Sequence, residues 1–97
     1  MVRLFARMNV ADYEAWRGVY DQFYGERGAL GVLGAAAFQS VDDPNDVTLW
    51  HDFETEEIAR AFVSSDALHD VMARAGVQGE PQFWFVTESW RPAPAFA

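Results

Sequence analysis

The chain has 97 residues, enough for one domain; 51% of them are apolar, none is cysteine, and the formal charge is −8. Such a composition excludes a disordered segment, a disulfide or thiolate-metal framework, and a nucleic-acid surface, which the negative field would repel. No stretch approaches the ~20 apolar residues of a membrane span and the N-terminus lacks a secretory apolar run, so a cytoplasmic protein with no membrane partner is expected.

Residues 2–8 alternate, with Val2, Leu4, Ala6 and Met8 on one side and Arg3, Phe5 and Arg7 on the other, which predicts a strand with one apolar face. Asp12 suits an N-cap, and the helix it opens is expected to run to about Glu26 or Arg27, with Gly28 as terminator. Along it Tyr13, Trp16, Tyr20 and Phe23 share one face, and Glu14, Arg17, Asp21 and Gln22 the other. A second strand is expected over 33–41, a polar turn over 42–46 and a third strand over 47–53, the two strands forming an antiparallel hairpin. Thr55 caps a further helix with Ile58, Ala59, Phe62 and Val63 as its apolar stripe. Ser64-Ser65-Asp66 breaks and recaps it, Leu68, Val71, Met72 and Ala75 turn inward, and Gly76 ends it. Glu80-Pro81 is read as opening a last strand over 82–90, and residues 91–97 as an extended tail. The order β-α-β-β-α-β is the ferredoxin-like split unit. It predicts a single α+β domain over 1–97, with both helices on one side of a four-stranded antiparallel sheet.

Strand parity places His51 with Val47, Leu49 and Phe53, facing the helices. A histidine there serves as general base or proton shuttle, or sits as a buried residue bonded to backbone or to a tyrosine of the first helix. Both readings stand. Thr48, Trp50 and Asp52 point the other way, and Asp52 reads either as an acid or base or as the ion-pair partner of Arg3 or Arg7. The aromatic stripe of the first helix is core or pocket wall. Opposite the small Ala35-Ala36-Ala37 run it leaves room for a cavity, expected at several hundred cubic ångströms, with Trp16, Tyr20, His51, Phe53 and Phe62 in its wall. Phe83 and Phe85 lie on one face of the last strand and Trp84 on the other, so one set meets the helices and the other a second subunit. Two histidines without cysteine match no metal spacing, and Asp66, His69 and Asp70 read as a solvated helix face. The glycines follow no phosphate-binding pattern, and neither metal nor organic cofactor is expected.

Three stretches carry a resemblance: Val10-Ala11-Asp12-Tyr13-Glu14-Ala15-Trp16, the turn Asp42-Asp43-Pro44-Asn45-Asp46-Val47, and Trp50-His51-Asp52-Phe53 through Ala59-Arg60-Ala61-Phe62. They resemble the dimeric α/β-barrel superfamily and, within it, small proteins grouped with antibiotic-biosynthesis monooxygenases and polyketide cyclases. The similarity runs from about residue 2 to residue 90. It implies a homodimer with two sheets packed face to face, each subunit keeping a ligand cavity between sheet and helices. It also implies a cofactor-independent enzyme acting on an aromatic or polyketide-like substrate, as a monooxygenase or a cyclase/isomerase. The alternative is a non-catalytic ligand-binding or accessory dimer of the same fold. Haem-degrading members carry an iron-ligating histidine on the second helix, where the matching residue here is Phe62, so haem ligation does not carry over; His69 lies two turns later. On this reading His51, with Tyr20 or Tyr13, supplies the proton chemistry. Trp16, Phe23, Leu49, Phe53 and Phe62 hold the ligand.

Overall fold

A two-residue period builds the sheet. In β1 (Val2–Val10) it buries Leu4, Ala6, Met8 and Val10 and leaves Arg3, Phe5 and Arg7 on the opposite face. The chain continues through α1 (Tyr13–Gln22), α2 (Tyr24–Ala29), β2 (Gly34–Gln39), β3 (Asp46–Phe53), α3 (Glu56–Ser64), α4 (Asp66–Arg74) and β4 (Val77–Val86). This computed structural model describes residues 1–93. The strands form one antiparallel sheet in the order β2-β3-β1-β4, the ferredoxin-like α+β arrangement with each helix in two pieces. No helix among the described residues is long and apolar enough to cross a membrane.

The inner rows of the sheet follow from register. His51 lies between Leu4 and Ala35, Leu49 lies between Ala6 and Ala37, and Phe83 and Phe85 of β4 extend these rows. Against them pack Trp16, Phe23, Ala59, Phe62, Leu68 and Val71 from the helices. Leu4, Val47, Phe53 and Phe62 are almost wholly buried, each stabilising the fold by about 1.5–3 kcal/mol. Asp12 and Thr55 cap α1 and α3 as their positions predict, accepting from the Ala15 and Ile58 amides at 2.9 and 3.2 Å.

On the outer face an aromatic row, Trp50–Phe5–Trp84, crosses the sheet, with Phe5 and Trp84 stacked at 5.7 Å. Phe38 and Trp84 remain 53% and 42% exposed, large apolar area for a single chain to leave in water. Ion pairs edge the row. Arg3 holds Asp52 through two hydrogen bonds of 2.7 and 3.0 Å, and Arg7 holds Asp46 at 2.7 Å. Asp52 is therefore a pairing residue, and Arg3 keeps its carboxyl below the ordinary carboxylate range.

Three boundaries differ from the sequence reading. The first helix is broken at Phe23, where the Arg27 guanidinium caps the Tyr20 carbonyl and the chain restarts as α2. That second piece runs past Gly28 to Ala29, and the turn out of it falls at Gly31. Gly31 adopts φ +98°, and a Cβ there would stand 2.6 Å from Ile58 Cγ2, so backbone angle and space both demand glycine. The last strand begins at Val77 and stops at Val86, several residues before the predicted 82–90 on both ends. Gly76, at φ +77°, turns the chain directly from α4 back alongside β1. Pro81 then sits within the strand because the register shifts between Arg7 and Asn9, a bulge where no amide donor is needed. β4 ends where β1 runs out of partners, at the Arg3–Val86 pair, so Trp90 lies beyond the sheet and is exposed. Of the expected extended tail, residues 91–93 carry no helix or strand, and 94–97 lie outside the described residues.

Candidate functional site

α1 and β3 bring two polar side chains together in an apolar interior. Tyr20, one turn after Trp16, points from α1 toward the sheet, and its hydroxyl lies 2.7 Å from His51 Nε2 on β3. Trp16 stacks on the Tyr20 ring at 4.8 Å with the planes 13° apart, fixing the phenol. The rings of Phe62 and Phe53 lie 5.2 and 6.4 Å from the His51 ring. The imidazole is 3% exposed, and its Nδ1 is buried with no hydrogen-bond partner among the described residues. An unpaired buried nitrogen costs about 1–3 kcal/mol, and among the described residues the side chains carry that cost at this one position.

Beside this pair lies a cavity of about 30 Å³. At roughly 10–15 Å³ per water, it holds about two water molecules, far below the several hundred cubic ångströms expected for a ligand pocket. The small Ala37 packs against the cluster that holds Trp16 and Leu49, and the cavity that remains is walled in part by Phe62, Leu68 and Met72 from α3 and α4. Trp16, Tyr20, Phe23, Leu49, His51 and Phe62 all stand in the cavity wall. Phe53 does not line it but backs His51 and Phe62 from within the core. Tyr13 also lies outside it, tilted against Trp16 at 5.7 Å, and so is not joined with His51.

Charge at the site is set by burial and by one cation. Desolvation, reinforced by the positive charge of Arg27 and opposed by Asp52, pushes the His51 pKa down from 6.5 to about 4, so the ring is neutral at pH 7. Burial raises the Tyr20 pKa, against the opposing pull of Arg27 and Arg17, so the phenol keeps its proton. Arg27 lies with its guanidinium carbon 3.9 Å above the Tyr20 ring, is 8% exposed, and donates to the Tyr20 carbonyl. Sequence reading placed Arg27 at the end of a helix and saw no role for it. The available signal is its spacing, seven residues after Tyr20, which returns it to the same helix face. Among the described residues no cluster of three or more histidine and carboxylate side chains is arranged to hold a metal ion. His69 is turned to the Val63 carbonyl at 3.1 Å.

The fold is that of antibiotic-biosynthesis-monooxygenase-like structures. A candidate antibiotic biosynthesis monooxygenase from Bordetella bronchiseptica superposes with a TM-score of 0.79 at 18% identity, covering 92% of this chain and 97% of that one. SnoaB, a cofactor-independent oxygenase from Streptomyces nogalater, gives 0.76 at 11% identity, with 93% and 94% covered. The monooxygenase of ActVA-Orf6 from Streptomyces coelicolor, solved with nanaomycin D, gives 0.69 at 17% identity, with 97% and 92% covered. No protein-family model matches the sequence, and no curated protein matches it as a relative.

Proposed function

We propose that the chain is a small-molecule enzyme of the cofactor-independent monooxygenase type, acting on a flat aromatic or polyketide-like compound between its helices and its sheet. The observation that carries this reading is the Tyr20–His51 pair, a proton donor and acceptor 2.7 Å apart in an otherwise apolar, aromatic wall. His51 takes a proton from a ring CH₂ or phenol of the substrate, and the resulting carbanion or phenolate reacts with dioxygen. For a CH₂ group, carbon becomes C=O with one oxygen atom, the other leaves in water, and all four electrons come from the substrate. Tyr20 orients the substrate oxygen or returns a proton to the peroxide.

Magnitude limits how His51 can act. With its pKa near 4, protonating it at pH 7 costs about 4 kcal/mol while the site is closed. A substrate anion formed beside the imidazolium supplies the opposite charge that recovers this cost, so base strength appears only with substrate bound. The test is oxygen consumption in the presence of two- and three-ring phenols and ketones. Both His51→Ala and Tyr20→Phe should lower turnover by about 10²–10⁴-fold; equal rates in wild type and His51→Ala would overturn the assignment.

A second reading, a non-catalytic binding or accessory dimer, is favoured by the cavity of about 30 Å³, which admits no aromatic ring without side-chain movement. Under either reading we infer a homodimer in which a second copy covers Phe5, Phe38 and Trp84, the apolar face this chain leaves in water.

A further inference from the structure

Arg27 has no counter-ion among the described residues. The chain contains seven arginines and no lysine. Arg3, Arg7, Arg17, Arg60, Arg74 and Arg91 are each paired with a carboxylate, every one of these side chains being 38% or more exposed. Arg27, the most deeply buried, is paired with none among the described residues, although the chain carries fifteen acids. Its only hydrogen bond among them runs from Nη1 to the Tyr20 carbonyl, which leaves Nε and Nη2 without a protein acceptor. Nε and Nη2 keep contact with solvent, the one fully buried unpaired side-chain nitrogen among the described residues being His51 Nδ1, and a carboxylate is the usual partner of a cation so placed.

The same side chain lines an open depression of about 270 Å³ between α2 and the edge strand β2, walled by Tyr24, Val32, Leu33, Gly34 and Ala35. Leu33 and Tyr24 are 62% and 77% exposed and present apolar surface beside the guanidinium. Arg27 faces this depression and Tyr20 faces the inner cavity, so the stacked pair, 3.9 Å apart, is the partition between the two spaces. We propose that the depression is a binding site for the carboxylate of an aromatic acid, with Nε and Nη2 of Arg27 gripping both oxygens and Leu33 and Tyr24 flanking the ring. Planar guanidinium matches planar carboxylate through two parallel hydrogen bonds, which a neutral amide cannot accept in the same way. The protein's overall negative charge opposes any anion, so selectivity here comes from local geometry rather than from long-range attraction.

The Tyr20 ring parts this depression from the cavity at His51, so the site goes beyond the proposed function and does not depend on it. The test therefore reads binding without turnover. Isothermal titration or chemical-shift mapping with 2-naphthoate and 2-naphthamide should show the acid bound about tenfold more tightly, as expected for one charge-assisted contact set. Shifts should centre on Arg27, Tyr24 and Leu33. Arg27→Lys should keep a reduced preference for the acid, and Arg27→Met should lose it while still binding both rings weakly. Equal affinity of wild type for acid and amide, or an acid preference surviving in Arg27→Met, overturns the proposal. If Arg27→Met does not fold, the wild-type comparison and Arg27→Lys still decide. Naphthoate binding upholds this site whatever the oxygen-consumption assay shows, whereas turnover of phenols or ketones without any acid preference upholds the enzyme and overturns this site.

Discussion

Removing the titratable group at position 51 should flatten the acid side of the stability curve. In the unfolded chain His51 takes up a proton near pH 6.5, whereas in the folded protein burial and Arg27 delay this to about pH 4. Above pH 6.5 the ring is neutral in both states and contributes no pH dependence. Between 6.5 and 4 the unfolded chain binds the extra proton, so stability falls as pH falls, by about 3 kcal/mol at ~1.4 kcal/mol per pKa unit. Asp46 and Asp52, held low by Arg7 and Arg3, lose their contributions only below their unfolded value of 3.8, outside this window. The comparison variant is Tyr20→Phe with His51→Leu, which removes both polar partners together and strands neither in the core. Urea unfolding followed by tryptophan fluorescence at half-unit pH steps measures the difference. With slopes of about 1–3 kcal/mol per molar urea, the wild-type midpoint should fall by about 1–3 M relative to the variant across the window. Parallel curves for the two proteins between pH 6.5 and 4 would refute the buried, neutral histidine and the proton chemistry built on it.

Gly31→Ala should destabilise by about 2–4 kcal/mol in urea unfolding, through a left-handed backbone plus a 2.6 Å clash with Ile58. Gly76→Ala is its control, since φ is also positive but the nearest atom, Ala11 Cβ, is at an ordinary 3.5 Å; equal losses would show that the Ile58 contact does not matter. Trp84→Glu should convert the protein from dimer to monomer in light scattering at micromolar concentration, because it puts a charge on the exposed β4 end of the outer aromatic row. A wild type that is itself monomeric removes the proposed dimer.

Element types were legible because local signals agreed. Period-two alternation in β1 and β3, caps at Asp12 and Thr55, and the Ser65 break all match the folded chain. Long-range geometry was not legible. The end of the last strand was misplaced because Pro81 looks like a start when the bulge opposite Arg7–Asn9 is unknown, and because the length of β4 is set by β1 rather than by its own residues. Parity sufficed to aim His51 at the helices and Trp50 and Asp52 away from them, but the size of the cavity depends on where Phe62, Leu68 and Met72 come to rest, which no single strand or helix encodes. Tyr13 shares a helix face with Trp16 and Tyr20, yet its ring ends beside Trp16 and outside the cavity wall, a displacement that periodicity does not resolve.

Arg27 shows how a residue with an ordinary sequence context acquires a special environment. An arginine in the last turn of a helix normally stays in water and offsets the carbonyl dipole. Here the break at Phe23 redirects α2, and the guanidinium folds back two turns to cap the Tyr20 carbonyl and lie on the Tyr20 ring. That placement ties three properties to one charge. It holds α2 against α1, it adds to the desolvation that keeps His51 neutral, and it leaves Nε and Nη2 as unused donors on a residue that lines an open depression. An anion reaching those donors would cancel part of the field that depresses His51, so occupation of the outer site would strengthen the base on the other side of the Tyr20 ring. Desolvation remains the larger cause of the low His51 pKa, so a carboxylate at Arg27 would raise it only in part, and the charge of a substrate anion beside the ring would have to supply the rest.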